Sequence, residues 1–357
     1  MNPVLTPQSF EELAEMVRAT PRLLAVGAGT KPCLSAVDAV RLSTARLNGI
    51  SEYDPSEFTF TAAAGTPVRD IAAALAERGQ YLPFDPLLVD AGATLGGTVA
   101  AGLSGPGRFR FGGLRDFILG VRFVDGLGRL LRMGGKVVKN AAGFDLPKFF
   151  VGSLGRFGVL AELTFKVFPR PASALTLRLV APTLEDAVKL MTEAGSSRFE
   201  FDALDLAPDG TAVLARLAGP ADALPALTRE IFTRWPGEIL SEAEAERTWS
   251  DLREFRWVDS SQSLVKVALS PASVSALGQW VRSLEGGQMH VSSGGNLGFI
   301  SAAQVSGLDE RLRELGLSGI TLRGEGPLWL GRRTHPEITQ AVKKALDPVN
   351  RFPTLDD

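Results

Sequence analysis

With 357 residues, 45% apolar and 22% charged, the chain is long enough for two domains that each bury a core. Its one cysteine, Cys33, excludes an internal disulfide and any metal ribbon or iron–sulfur cluster held by several thiolates of this chain. A net charge of -2 without a basic tail argues against a nucleic-acid partner. The chain also lacks a charge-free apolar run of about 18 residues and a leader-like start, so a cytoplasmic protein is expected.

The first expected element is a helix. Thr6-Pro7 reads as its cap and first turn, Phe10, Leu13, Ala14 and Val17 recur on one face, and Thr20-Pro21 ends it. A short apolar strand, Arg22–Val26, then runs into Gly27-Ala-Gly-Thr-Lys31. Pro32 prevents this turn from opening directly into a helix, and a further strand, Ala39–Ser43, follows. A nicotinamide-binding G-x-G-x-x-G needs a third glycine at a helix start, so this turn fails as that fingerprint. Phe58–Ala63 alternates as a strand, and Gly65-Thr-Pro67 opens a helix with Val68, Ile71, Ala72 and Leu75 on one face.

The stretch from Phe84 to Pro169 differs from an ordinary core. In Gly92-Ala-Thr-Leu-Gly-Gly-Thr-Val99 the glycines lack Cβ atoms where something must approach closely, and a turn of backbone N–H groups beside the Thr94 and Thr98 hydroxyls would cradle a phosphate. Between positions 108 and 170 twelve Lys/Arg face four Asp/Glu, a local excess that is either a solvated basic face or an anion site. Strand-like runs at Phe117–Val124 and Val159–Phe168 flank the polar loop Gly134–Asp145, whose glycines and lysines favour a site. Composition changes at Pro169-Arg-Pro171. This places domains at 1–170 and 171–330, with a C-terminal helix and tail at 331–357.

In the second part, Ala174–Val180, Phe199–Leu206, Ala212–Ala218 and Leu264–Leu269 read as strands. Helices are expected from Thr183 to Ala194, over Ala221–Arg234 and Glu242–Phe255, and from Ser270-Pro271 onward, which makes a mixed α+β domain. Thr334-His-Pro-Glu337 reads as the capping box of a last helix ending at Leu346.

Seven motifs in this order carry a family resemblance: Val26-Gly-Ala-Gly-Thr-Lys31, Leu47-Asn-Gly-Ile-Ser-Glu-Tyr-Asp54, Leu82-Pro-Phe-Asp-Pro86, Gly92-Ala-Thr-Leu-Gly-Gly-Thr98, Arg115-Asp-Phe-Ile-Leu-Gly120, Lys139-Asn-Ala-Ala-Gly-Phe-Asp-Leu146 and Gly152-Ser-Leu-Gly-Arg-Phe-Gly-Val159. Over essentially its whole length the chain resembles the vanillyl-alcohol-oxidase type of flavoenzyme, and within it the FAD-binding subunits of bacterial glycolate oxidase. The resemblance implies an α+β architecture, with a two-subdomain FAD-binding domain of the PCMH type followed by an α+β cap domain like the C-terminal domain of FAD-linked oxidases. It implies FAD contacts from Gly27, Ala28, Gly29, Thr30 and Lys31 and from Gly92, Ala93, Thr94, Gly96, Gly97 and Thr98 at the pyrophosphate. Ser104 and Gly105 would lie along the cofactor, and Gly155, Gly158 and Val159 near the adenine. It further implies two partners, a homologous FAD-containing catalytic subunit and an iron–sulfur subunit, with peripheral membrane association through that complex.

Flavin tethers in this class use histidine or cysteine. His290 and His335 fall outside the FAD region and Cys33 reads as a loop thiol, so noncovalent FAD is expected. Related 2-hydroxy-acid dehydrogenases carry H-x-G-D-G-N-L-H for a metal. Here His290-Val-Ser-Ser-Gly-Gly-Asn-Leu-Gly298 offers one ligand, so no metal is expected. Oxidising an α-hydroxy acid needs a base for the hydroxyl proton and a cation for the carboxylate. Lys139 and Arg115 are the candidate cations, and no residue stands out as the base. The expected function is oxidation of glycolate, or another small 2-hydroxy acid, with electrons passed to the iron–sulfur chain. A flavin-carrying assembly subunit and a free-standing flavoenzyme for a sugar or nucleotide-sugar are the alternatives, with a nicotinamide-dependent dehydrogenase third.

Overall fold

Leu13, Ala14 and Val17 lie on the buried face of a helix, Phe10–Ala19, and that face meets the apolar strand Leu23–Val26 in one core. The helix begins one turn later than its Thr6-Pro7 signal suggests. Ser9 is the cap, its hydroxyl accepting from the Glu12 N–H, because Glu11 and Glu12 in the first turn favour the positive end of the helix dipole. The structure is a computed structural model and describes residues 4–135, 145–333 and 336–356.

Two units result. The first comprises Met1–Ser104, Gly113–Arg170 and Thr334–Asp357, and the second Gly105–Gly112 and Pro171–Arg333. The last helix, Pro336–Leu346, and its tail, expected as a separate segment, therefore group with the first unit, and the eight residues from Gly105 group with the second.

In the first unit Leu23–Val26 pairs in parallel with Val40–Ser43, Leu23 opposite Val40. Contrary to the sequence expectation, the turn opens directly into one short 3₁₀ helix, Pro32–Ser35, with Pro32 at its first position, where the missing N–H costs nothing. Beside this pair stands a five-stranded antiparallel sheet in the order Ile50–Asp54, Thr59–Ala63, Val159–Lys166, Ile118–Val124, Leu130–Gly134. Its centre is held by cross-strand packing: Phe60 lies opposite Phe165, with their rings stacked at 5.8 Å. The edge strand Leu130–Gly134 was not legible in the sequence, since three of its five residues are exposed.

The glycine-rich stretch after Gly92 differs from its sequence reading. Gly92 turns the chain at φ +89°, but Gly96, Gly97 and Thr98 lie within a helix, Leu95–Ala101, capped by Thr94 and closed by Gly102 in the left-handed region.

The second unit is a nine-stranded antiparallel sheet in the order Gly237–Ile239, Ser173–Val180, Ala212–Gly219, Phe201–Leu206, Gln288–Ser292, Leu297–Ala302, Ser263–Ala268, Ser318–Arg323, Trp329–Gly331. The helices Leu184–Gly195 and Pro271–Arg282 turn Leu184, Met191, Val274, Leu277 and Val281 into its core. Thr183 caps the first of these by accepting from the Asp186 N–H. Mixed α+β architecture follows for both units. No helix of the described residues is long and apolar enough to cross a membrane.

Candidate functional site

In the first unit the strand Leu23–Val26 delivers the turn Gly27–Lys31 to a cavity whose opposite wall is the helix Leu95–Ala101. Gly27 through Lys31, Thr94, Gly97, Ala100 and Leu154 line it. A second cavity shares Gly27, Gly97 and Ala100 and continues to Gly96, Gly155 and Gly158. The two form one trough floored by glycine, and the turns at 27 and 94 face each other across it.

A Cβ on Gly27 would sit 2.3 Å from Thr94 Oγ1, and one on Gly96 would sit 2.7 Å from the Ala64 methyl. Only glycine lets these walls approach. The backbone donors are distributed unevenly. At the helix start Leu95 N donates to Thr66 O at 2.9 Å, Gly96 N to Ala64 O at 2.7 Å and Gly97 N to Thr94 Oγ1 at 3.2 Å. That end of the trough therefore offers no spare N–H from these three residues. The N–H groups of Gly27, Ala28, Gly29, Thr30 and Lys31, by contrast, meet no acceptor among the described residues.

Lys31 completes the arrangement. Its Nζ donates to Thr30 Oγ1 at 2.7 Å, no carboxylate pairs with it among the described residues, and burial lowers its ammonium from 10.5 to about 8. An ammonium taken out of water without a counter-charge is costly. Beside a row of free N–H groups it makes a site poised for an anion, and a dinucleotide's diphosphate fits the donors present.

The remaining sequence candidates are placed as follows. Gly92, Ala93 and Thr98 flank the trough without lining it. Ala93 and the Thr98 hydroxyl are buried, the latter with no partner among the described residues. Ser104 is buried and its hydroxyl accepts from Leu114 N at 2.9 Å, while Gly105 groups with the second unit. Val159 is buried in the core behind the wall. Arg115 is exposed in the turn Leu114–Asp116 and lines neither cavity. Lys139 and most of the loop Gly134–Asp145 lie outside the described residues, as does His335. Cys33 is partly exposed in the turn that follows Lys31, and burial raises its thiol.

In the second unit His290 is buried against Asp205, Nε2 to Oδ2 2.9 Å, and stacks on Phe299. Asp205 Oδ1 also accepts from Ser292 Oγ at 2.9 Å and Ser293 N at 3.1 Å. No group of three or more metal-ligating side chains occurs among the described residues.

Sequence reasoning missed Lys266. It is the lone charge in the strand Ser263–Ala268, flanked by Val265 and Val267, and that break in the pattern was the available signal. Burial first, then the positive charge of Arg108, brings its ammonium from 10.5 to about 8.

Comparisons with known proteins agree with the geometry. Residues 2–134 match the family model described as an FAD binding domain. The chain is 52% identical over 130 residues to glycolate oxidase subunit GlcE of Escherichia coli (strain K12), 36% of this chain and 37% of that protein. It is 27% identical over 197 residues to glycolate oxidase subunit GlcD of Bacillus subtilis (strain 168), 53% of this chain and 42% of that protein. A D-lactate dehydrogenase of Anaerostipes hadrus is 32% identical over 149 residues, 42% of this chain and 31% of that one. The chain thus spans between about a third and under half of the length of these relatives. In fold it is similar to alkyldihydroxyacetonephosphate synthase, with a TM-score of 0.72 at 18% identity over 97% of this chain and 76% of that one. The family match over residues 2–134, the likeness to glycolate oxidase subunits and a glycine-floored trough that fits a diphosphate agree on one point: this part of the chain is an FAD-binding domain.

Proposed function

We propose that this chain is the FAD-binding subunit of a multi-subunit dehydrogenase for glycolate or a similar 2-hydroxy acid, working with a homologous flavin-bearing subunit and an iron–sulfur subunit. The observation that carries the reading is the turn Gly27–Lys31 at the head of a glycine-floored trough, with five N–H groups that meet no acceptor and a lysine that meets no carboxylate among the described residues. In this reading Gly27–Lys31 hold the FAD diphosphate, Thr94 and Gly97 form the facing wall, and Gly155 and Gly158 leave room for the adenine half. Bound there, FAD supplies a two-electron acceptor for a hydride from the substrate's α-carbon. FAD is held noncovalently, and the lone Cys33 leaves an iron–sulfur relay to another chain.

For the substrate, Lys266 and Arg108 of the second unit are the groups we assign to an anionic 2-hydroxy acid. Below about pH 8 the Lys266 ammonium anchors a carboxylate, and above it the free amine can take a proton. The names of the relatives, glycolate oxidase subunits and D-lactate dehydrogenases, support the substrate class. The test is anaerobic addition of glycolate and of D-lactate to the flavin-loaded chain, alone and co-expressed with its genomic neighbours. Bleaching of the flavin band with co-purification of an iron–sulfur protein is expected. Bleaching only by a sugar, with no such partner, would favour the free-standing alternative.

Lys31 gives this reading a pH signature. Its folded value of about 8 lies below the usual 10.5, so burial costs stability below pH 8, and the cost fades as pH rises toward 10.5. A phosphate beside it favours the charged form and raises the value. FAD affinity should therefore be full below pH 8 and fall above it, by up to about tenfold per pH unit. Fluorescence titration of FAD between pH 7 and 9.5 checks this, and Lys31→Met should flatten the profile.

A further inference from the structure

The wall of the trough that carries Leu154, Gly155 and Gly158 has an unusual backbone. Leu154 sits at φ +52° and Gly155 at φ +73°, and a branched side chain in the left-handed region persists only where its surroundings impose it. From one side the helix Leu95–Ala101 imposes it, with Leu154 N donating to Ala100 O at 2.9 Å and Gly152 N to Val99 O at 3.0 Å.

From the other side the constraint comes from the far end of the chain. Lys343, on the last helix, donates from Nζ to Arg156 O at 2.9 Å, a contact 187 residues apart in sequence. The same ammonium meets Asp347 Oδ2 at 2.6 Å and the carbonyls of Phe352 at 2.7 Å and Pro353 at 3.2 Å. Asp347 in turn accepts from Arg351 N and Phe352 N, each at 2.9 Å. The segment Lys343–Pro353 is thereby folded on itself, and the Arg156 carbonyl ties it to the trough wall. Lys343 and Asp347 are both buried, Asp347 to 1% exposure. A buried ion pair adds little net stability compared with an apolar pair of equal volume, whereas its fixed donor and acceptor directions define geometry. The pair is thus better explained by what it holds than by what it stabilises.

We infer that Lys343 is a positioning residue for the cofactor, fixing the Arg156 carbonyl so that the loop Ser153–Gly158 keeps the shape that receives FAD. The inference rests on the reading that FAD lies in the trough. Arg351 donates from Nε to Gly126 O at 2.7 Å and from Nη1 to Thr20 O at 2.9 Å, anchoring the tail while Lys343 holds the loop.

The test compares five forms of the full chain: wild type, Lys343→Met, the double variant Lys343→Met/Asp347→Leu, Leu75→Ala and Gly27→Val. Leu75 is fully buried in the first unit and lines neither cavity, so it reports general loosening. Melting temperature, FAD affinity well below melting and visible circular dichroism of the bound flavin are measured for each. Both Lys343 variants should bind FAD about tenfold more weakly, the lower end of the 10–100-fold scale on which outer-shell partners act, with an altered flavin spectrum. Leu75→Ala should melt lower yet bind within about threefold of wild type with an unchanged spectrum. Where the single variant fails to fold, the double variant decides, because it leaves no orphaned carboxylate. Wild-type affinity and spectrum in the double variant, or an equal loss in Leu75→Ala, overturns the inference. Wild-type binding by Gly27→Val removes the trough as the FAD site and the inference with it, whereas loss in Gly27→Val alone defeats only the role of Lys343.

Discussion

Gly27→Val should yield a folded, colourless protein. The added Cβ would lie 2.3 Å from Thr94 Oγ1, and Thr94 cannot swing away without giving up its bond to Gly97 N and uncapping the helix Leu95–Ala101. The branched side chain would also lean over the row of free N–H groups from Gly27 to Lys31. Two costs thus fall on binding together: a narrowed trough and screened donors. A loss of FAD affinity of about a hundredfold or more, about 2.8 kcal/mol, is expected. Uncapping the helix lowers the melting temperature of the flavin-free chain as well, and the flavin-loaded chain loses in addition the stability that bound FAD lends, so its fall should be the larger. Equilibrium dialysis against FAD, with melting curves in both states, gives the result. A Gly27→Val protein that retains FAD with wild-type affinity would remove the diphosphate from this turn.

The turn itself was legible from the sequence because Val26-Gly-Ala-Gly-Thr-Lys31 breaks an apolar strand with glycines and a lysine, and the third glycine of a nicotinamide fingerprint is absent. Helices with clear caps were equally legible: Thr183 with Asp186 predicts a start that the structure realises within a residue. Gly92–Thr98 misled because three glycines suggest a loop, while Thr94 caps a helix whose glycines are there to let it lie against Ala64. Which N–H groups are spare is a tertiary fact: the acceptors for Leu95 and Gly96 come from Thr66 and Ala64, and only the fold reveals them. The same limit hid Lys343, whose bond to Arg156 O joins positions 187 residues apart. Lys266 was visible in principle, as a charge amid apolar neighbours, but one charge in a strand of six reads as an edge until the sheet order shows the strand between Leu297–Ala302 and Ser318–Arg323.

Asp205→Ala is expected to unfold the second unit under conditions where the first stays intact. The Asp205 carboxylate is fully buried and satisfies three donors at once: His290 Nε2 at 2.9 Å, Ser292 Oγ at 2.9 Å and Ser293 N at 3.1 Å. Truncation strands all three, and the Ser293 N–H cannot be turned elsewhere, because it belongs to a tight turn in which Ser293 and Gly294 sit at φ +56° and +62°. His290, pressed against Phe299 at 5.8 Å and Trp257 at 6.2 Å between ring centroids, has no room to seek another acceptor. The cost of breaking such a cluster is about 3–5 kcal/mol. In a unit of this size that corresponds to a fall of about 10 °C in melting temperature. Asp205→Asn, which keeps an acceptor of the same shape, should recover part of the loss, since Oδ1 can still serve Ser292 and Ser293. Hydrogen exchange would resolve the two units, with protection lost first in Phe201–Leu206, Gln288–Ser292 and Leu297–Ala302 and retained in Thr59–Ala63 and Val159–Lys166. Loss of protection in both sheets together would mean that the buried cluster governs the whole chain and not its own unit.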